Sequence, residues 1–226
     1  MMKFDLRMSG LGGQGMVTAA NILGMATVKD GNYSIVIPFF GAEKRLAPTE
    51  SYTRISSEPV YEKGEVNYPN IIMIFHEEVI TQGKCYTMPF YEGLQENGII
   101  IINSPYELPI PKHDLEAIEK LNARIIYIPA AKIALEVAGT ELATNMAMLG
   151  VLIGLTNIVS FESLESSISE RFGKRKFIAS GSTAALDDVI KKKYAKVQDL
   201  IDKNMQSVRV AAKEIKRMED ERCRSQ

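Results

Sequence analysis

Residues 9–15 read Ser-Gly-Leu-Gly-Gly-Gln-Gly, so that Gly10, Gly12 and Gly15 fall in the spacing Gly-x-Gly-x-x-Gly. An apolar run, Phe4 to Met8, precedes them and a helix-like run, Met16 to Val28, follows. Glycines at a strand-to-helix junction let the chain turn tightly and let a ligand approach the backbone. The free amides at the helix start then attract an anion. A dinucleotide site also needs an acidic residue about 20 residues further on, at the end of the second strand, to hold a ribose. Pro38, Phe39 and Phe40 stand there, and Glu43 comes later, next to Lys44 and Arg45. Three readings stay open for the turn: NAD or FAD binding, a bend needed only for packing, or contact with an anion or acyl carrier shared with a partner chain.

Two further stretches carry chemistry. Phe40 to Ser56, FGAEKRLAPTESYTRIS, places Glu43, Lys44 and Arg45 between Gly41 and Pro48. It reads either as a solvated loop with local ion pairs or as a shaped loop whose Lys44 or Arg45 meets phosphate or carboxylate at the carboxyl edge of a sheet. Asn145 to Gly150, NMAMLG, sets an Asn inside an apolar helix, where it needs a hydrogen-bond partner. A loop carbonyl or amide is the expected partner.

Catalytic constellations are scarce. His76 ends the apolar run IIMIFH, ahead of Glu77 and Glu78, and His113 lies in a proline-rich approach to a helix. The two are not at metal-ligand spacing; for His76 a capping or surface role is weighed against acid–base work. There is no Gly-x-Ser-x-Gly, Walker lysine motif or His-Glu-x-x-His. Nor is there a Gly-Asp-Gly with a downstream Asn, which holds magnesium and diphosphate in thiamine enzymes. The two cysteines, Cys85 and Cys223, are too few and too far apart for an iron–sulfur cluster or structural zinc. No catalytic residue is assigned, and no metal site.

The elements that must position these groups follow from the apolar pattern. Residues 3–8 read as a buried strand, followed by a helix to about Lys29 and a turn at Asp30-Gly31-Asn32. Tyr33 to Pro38 is β-rich, residues 39–50 read as a loop, and Ser51 to Ser56 as a strand with one wet face. Ile71 to Phe75, Ile99 to Ile102 and Ile125 to Ile128 are continuous apolar runs of the kind found in parallel strands buried on both faces. Helices are expected at about 86–96, 112–122, 131–138 and 141–156, and from Ser160 to Arg171. Strands alternating with helices predict a Rossmann-like, doubly wound α/β fold with a mostly parallel sheet.

From about Thr183 to Arg222 the chain has no proline or glycine and reads as one long helix or two shorter ones. Such a helix either meets a partner subunit or folds back on the parent domain; the charge-dense tail, Lys213 to Gln226, reads as frayed. The division expected is an α/β domain over 1–180 and a helical C-terminal extension over 181–226.

Bulk composition is that of an ordinary globular protein: 226 residues, 46% hydrophobic, 24% charged, with a net charge of −1. There is no basic field to attract nucleic acid. Leu142 to Phe161 carries no charge and is long enough to span a bilayer at about 1.5 Å per residue. Its Thr, Asn, Ser and Gly content, without basic flanks, reads instead as a buried core helix. With no signal peptide in view, the expected place is the cytoplasm.

Taken together, GLGGQGMVTAANIL, FGAEKRLAPTESYTRIS and NMAMLG resemble the gamma subunit, or gamma domain, of 2-oxoacid:ferredoxin oxidoreductases of the pyruvate/ketoisovalerate type. The resemblance covers about residues 3–205 and includes Lys203-Asn204. It implies a non-autonomous subunit of a complex that oxidatively decarboxylates a 2-oxoacid to an acyl-CoA and passes electrons to ferredoxin. It implies further that alpha, beta and delta-type partners hold thiamine diphosphate, magnesium and the Fe–S clusters, with no cofactor held by this chain alone. Coenzyme A is the ligand this subunit would contact, at positions matching Gly10, Gly12, Gly13, Gln14, Gly15, Gly41, Glu43 and Arg45. Related sequences often carry a glycine after the basic pair, where this chain has Leu46. A self-contained NAD(P)- or FAD-binding oxidoreductase and a purely architectural subunit are the competing readings.

Overall fold

A computed structural model of the chain describes residues 2–41, 46–173 and 184–224, with the side chains of the last stretch from residue 195 onward. Six strands form one sheet in the order β2-β3-β1-β4-β5-β6: β1 (Lys3–Leu11), β2 (Tyr33–Phe40), β3 (Pro48–Ser56), β4 (Ile71–Ile74), β5 (Ile99–Asn103) and β6 (Arg124–Ile128). β1, β4, β5 and β6 pair in parallel. β3 runs antiparallel to both β1 and β2. The apolar runs at 71–75, 99–102 and 125–128 therefore do become parallel strands, as their lack of alternation requires.

The helices are α1 (Met16–Lys29), α2 (Glu78–Thr81), α3 (Lys112–Lys120), α4 (Ala130–Ala138), α5 (Thr144–Thr156), α6 (Phe161–Gly173) and α7 (Ala184–Arg224). A 3-10 turn, Glu141–Ala143, leads into α5. The larger core joins one face of the sheet, through Leu6, Met8, Met73 and Ile101, to α1, α4, α5, α6 and α7. The smaller one lies on the other face, under Val79, Phe90, Leu94 and Ile118. The uncharged stretch from Leu142 is indeed a core helix: α5 is buried from Asn145 to Ile153. No helix among the described residues is long and apolar enough to cross a membrane.

α7 is a single helix that folds back along α5, where Val208, Ala211 and Ile215 are fully buried. Its approach is close because Gly150 and Gly154 face its backbone at Val208 and Ala212 and have no Cβ to hold it off. The tail expected to fray stays helical to Arg224, since Ile215 packs inside and Arg124 of β6 holds Glu219 at 2.8 Å.

Three other expectations are corrected. The loop read over 39–50 is shorter, because β2 runs to Phe40 and β3 starts at Pro48. No helix forms over 86–96: Pro89 offers no amide, and Gly93 turns at φ +72° directly against the Asn67 carbonyl. β3 has no wet face. Its polar side is buried together with that of β1, where the register sets Asp5 opposite Arg54, Arg7 opposite Tyr52 and Ser9 opposite Glu50. β2, which contains Pro38 opposite Ser51, lies at the outer edge of the sheet.

Candidate functional site

β1 does not end before the glycines; it runs through Ser9, Gly10 and Leu11, which pair with Glu50, Thr49 and Pro48. The turn itself is Gly12 to Gly15. Gly13 (φ +101°) and Gly15 (φ +71°) take left-handed backbone that other residues adopt at a cost. Gln14 braces the turn from within: its Oε1 accepts the Leu11 amide at 2.9 Å. A Cβ on Gly10 would come within 2.9 Å of that same oxygen and 3.0 Å of Phe75 Cβ, which explains a glycine inside a strand.

Two distant segments close on the turn. The Gly12 amide donates to the Ala47 carbonyl at 2.8 Å, and the Leu46 amide donates to the Gly12 carbonyl at 3.2 Å. Asn145 Nδ2 donates to the Gly15 carbonyl at 3.0 Å, and that carbonyl also receives the Ala19 amide at 2.9 Å. The anchoring expected of Asn145 is thus found, and Gly15 has to be glycine because a side chain there would strike Asn145. Among the described residues the amides of Gly13, Gly15, Met16, Val17 and Thr18 have no acceptor. That is the ordinary state of a helix start awaiting a polar partner.

The turn opens on a cleft of about 350 Å³ lined by Gly13, Gln14, Phe75, His76, Glu77, Asn103, Ala131, Glu141, Leu142 and Thr144. It lies outside the carboxyl ends of β1, β4 and β5, between the two directions in which the sheet is wound, where open α/β sheets bind ligands. Asn103 pins the floor: its Nδ2 donates to the Phe75 carbonyl at 3.1 Å and its Oδ1 accepts the Ala131 amide at 3.0 Å. His76 Nδ1 accepts the Glu78 amide at 3.2 Å, a capping role, while the ring also faces the cleft. Glu77 receives the Tyr106 hydroxyl at 3.0 Å.

Sequence reasoning named Glu77 only as the neighbour of His76 and gave Asn103, Glu141 and Thr144 no role in a site. Asn103 left a signal, a polar residue closing an apolar strand; Glu141 and Thr144 left none. His113 lies on the surface beside Asp114, away from the cleft.

Of the residues singled out in the second loop, Gly41 sits at the end of β2, where an added Cβ would meet the Tyr86 hydroxyl at 2.9 Å. Glu43, Lys44 and Arg45 lie outside the described residues. Leu46 has φ +57°, the left-handed region that favours glycine.

The dinucleotide reading fails on geometry as well as composition. β3 is inserted between β1 and β2, so the end of β2 lies two strand spacings, roughly 10 Å, from the turn. The acid beside β1 is instead Glu50, and it is fully buried and engaged. Its Oε2 accepts from Tyr52 Oη at 2.7 Å and from Thr87 Oγ1 at 2.9 Å, and its Oε1 accepts the amides of Tyr86 at 3.0 Å and Thr87 at 2.9 Å. Nearby Arg7, 1% exposed, donates to the carbonyls of Phe90 and Glu92, both at 2.9 Å. Burial and then Glu50 push the Tyr52 phenol far above its usual range. Among the described residues no three His, Cys, Asp or Glu side chains gather to hold a metal ion.

Comparison with known proteins agrees with this architecture. Residues 5–188 match the family model for pyruvate ferredoxin/flavodoxin oxidoreductase. The pyruvate/ketoisovalerate oxidoreductases common subunit gamma of Thermococcus kodakarensis is 35% identical over 168 residues, 74% of this chain and 86% of that one. Pyruvate synthase subunit PorC of Methanothermobacter marburgensis is 37% identical over the same shares of the two chains. Pyruvate oxidoreductase subunit PORC of Thermotoga maritima superposes with a TM-score of 0.66 at 25% identity, covering 94% of this chain and 97% of that one. The fold also recurs within the 2-oxoglutarate:ferredoxin oxidoreductase of Magnetococcus marinus, solved with 2-oxoglutarate, coenzyme A and succinyl-CoA bound. There the TM-score is 0.68 at 20% identity, over 96% of this chain and 32% of that one.

Proposed function

The chain belongs to the pyruvate ferredoxin/flavodoxin oxidoreductase family as a gamma-type subunit, and from that premise we propose that it serves the oxidative decarboxylation of a 2-oxoacid to an acyl-CoA by meeting coenzyme A at the glycine turn and its cleft. The observation that carries this reading is a convergence. Three stretches far apart in sequence meet at one sheet edge: Gly12 is tied to Leu46 and Ala47, and Gly15 to Asn145.

Coenzyme A, when bound, supplies the thiol that takes up the acyl group. The residues present suit it: the Gly13 and Gly15 amides, which have no acceptor among the described residues, a cleft of about 350 Å³, and polar side chains along its lining. Gly13 and Gln14 orient the ligand, Asn103 keeps the strand ends at fixed separation, and Phe75 closes the buried side of the cleft. Preorganised amides act best in such a site, and a partner surface over its open side would complete it. Thiamine diphosphate with magnesium, and the Fe–S clusters that feed ferredoxin, belong in this reading to the alpha, beta and delta-type partners.

The test is reconstitution. The complex assembled without this chain should lose 2-oxoacid-dependent dye reduction, and the chain alone should show none; turnover by the chain alone sinks the proposal. In the full complex, Gly13→Leu places a side chain over the turn and strains its φ of +101°, and should raise KM for coenzyme A roughly tenfold, with assembly intact by gel filtration. An unchanged KM would make the turn scaffold.

A further inference from the structure

The two outer strands of the sheet differ. β2 carries Pro38, whereas β6, Arg-Ile-Ile-Tyr-Ile, has no proline, glycine or lysine. Its bonds to β5 show which of its backbone groups are engaged. The Arg124 amide donates to the Gly98 carbonyl at 2.9 Å, and the Ser104 amide donates to the Ile128 carbonyl at 3.0 Å. In a parallel ladder alternate residues bond the same neighbour, so Arg124, Ile126 and Ile128 face β5. Ile125 and Tyr127 turn their N–H and C=O groups outward, and among the described residues no backbone group meets them. A row of this kind pairs with another strand unless charge, proline or a cover blunts it. A groove of about 590 Å³ follows it, lined beside Ile125 and Tyr127 by Tyr106, Glu107, Met218 and Arg222. The residues on either side of 42–45 belong to β2 and β3, at the opposite edge of the sheet. Gly173 lies beside Ile201, about 25 Å along α7 from Met218, and Ala184 lies further still along that helix.

The ends of the free row restrict what can add to it. Before Ile125 the Ala123 amide already donates to the Ile118 carbonyl at 3.3 Å, and after Tyr127 comes Pro129, which has no N–H. An antiparallel copy of the same strand matches the remaining groups in one register. Ile126 faces its own counterpart, Ile125 faces the second copy's Tyr127, and each such pair exchanges both N–H···O=C bonds. Sliding by two residues either way sets Pro129 or Ala123 opposite a bonding residue. Antiparallel pairing also lays the start of one strand beside the end of the other. Glu107 stands near the end, close enough to act on the Tyr127 phenol. Arg222 stands one helical turn past Glu219, which Arg124 holds at the start. Among the described residues neither Glu107 nor Arg222 has an ion-pair partner. We infer that β6 receives a second copy of this chain, edge to edge about a twofold axis at Ile126, joining the two six-stranded sheets. Glu107 of each copy then pairs with Arg222 of the other across the joint, and the half-buried Ile125 and Tyr127 side chains cover one another.

The experiment is sedimentation of the full chain, without other subunits, over a series of concentrations. A contact this small should give a weak dimer, with Kd on the order of 10–100 μM. The Ile125 and Tyr127 amides should gain protection from hydrogen exchange as concentration rises. Ile125→Pro removes an outward N–H and no bond within the chain. It should leave thermal unfolding nearly unchanged and weaken the dimer at least about tenfold. Glu107→Arg and Arg222→Glu should each weaken it about fivefold, and the two together should restore it, a rescue that no change in folding would produce. A chain that stays monomeric throughout, or a dimer that ignores both the proline and the charge reversals, overturns the inference. So does protection of the Ile125 and Tyr127 amides that arises only in the assembled complex, since the edge would then belong to a strand of another subunit.

Discussion

β1 and β3 carry polar residues to two places, and the two places treat them differently. Halfway along the strands, on the buried side, Arg7 and Glu50 bond to residues 86–92, and Arg54 bonds to Glu62, Gly64 and Glu65. There Glu50 accepts four hydrogen bonds and both guanidinium NH2 groups of Arg7 cap carbonyls. At the carboxyl end of β1 the Gly13 amide has no acceptor among the described residues, and Gln14 and His76 turn polar groups toward an open cleft. The difference teaches that buried polarity is not itself a sign of function. Groups that bond mainly inside the chain hold the fold, even where an atom such as Arg7 Nε is left over, and groups left open at a concave rim await something else.

The comparison can be broken most forcefully at its filled end. Glu50→Ala strips the Tyr86 and Thr87 amides of their acceptor and leaves Arg7 buried without its counter-charge. It should cost about 3–5 kcal/mol, read as a lower urea midpoint, and an unchanged midpoint would erase the distinction. Gly15→Ala stands where the regions join. Left-handed backbone and the clash with Asn145 should cost about 2 kcal/mol, read from thermal unfolding. Asn145→Ala removes one tie between α5 and the turn, for about 1 kcal/mol. Because that tie shapes the open region, coenzyme A affinity should fall along with stability. Leu46→Gly relieves positive φ at the rim and should stabilise by up to about 1 kcal/mol.

A last, smaller effect lies in pH. Burial first, then Glu50, lift the Cys85 thiol to about 11 from its ordinary 9.0, against the pull of Arg7. The folded form therefore keeps a proton that the unfolded chain releases. This contribution is complete below the ordinary thiol value and fades as pH climbs through about 11. Cys85 should alkylate more slowly than exposed Cys223 at pH 9, and Cys85→Ala should flatten the alkaline fall in stability.

Much of the fold was legible because it depends on local pattern. Ile71 to Ile74 and Ile99 to Ile102 announce strands buried on both faces, and an Asn within an apolar helix has to find a partner, which proved to be the Gly15 carbonyl. The turn's role was half legible. Missing an acid after β2 argued against a dinucleotide, but only the topology shows why none could serve, with β3 in the way. The buried face of β3 was illegible. Alternation tells that Glu50, Tyr52 and Arg54 share a side, and nothing in the sequence tells that segments without periodicity will cover it. The far wall of the cleft was hidden for a similar reason, since Glu141 and Thr144 reach it only through the packing of α4 and α5.

The outer strand β2 has one more consequence. A proline has no N–H to lend to an incoming neighbour, so a foreign strand sliding along that flank meets a missing rung at Pro38. That gap makes the margin a poorer acceptor for a further strand, and Pro38→Thr, which restores the rung, should raise aggregation at high concentration, read by light scattering.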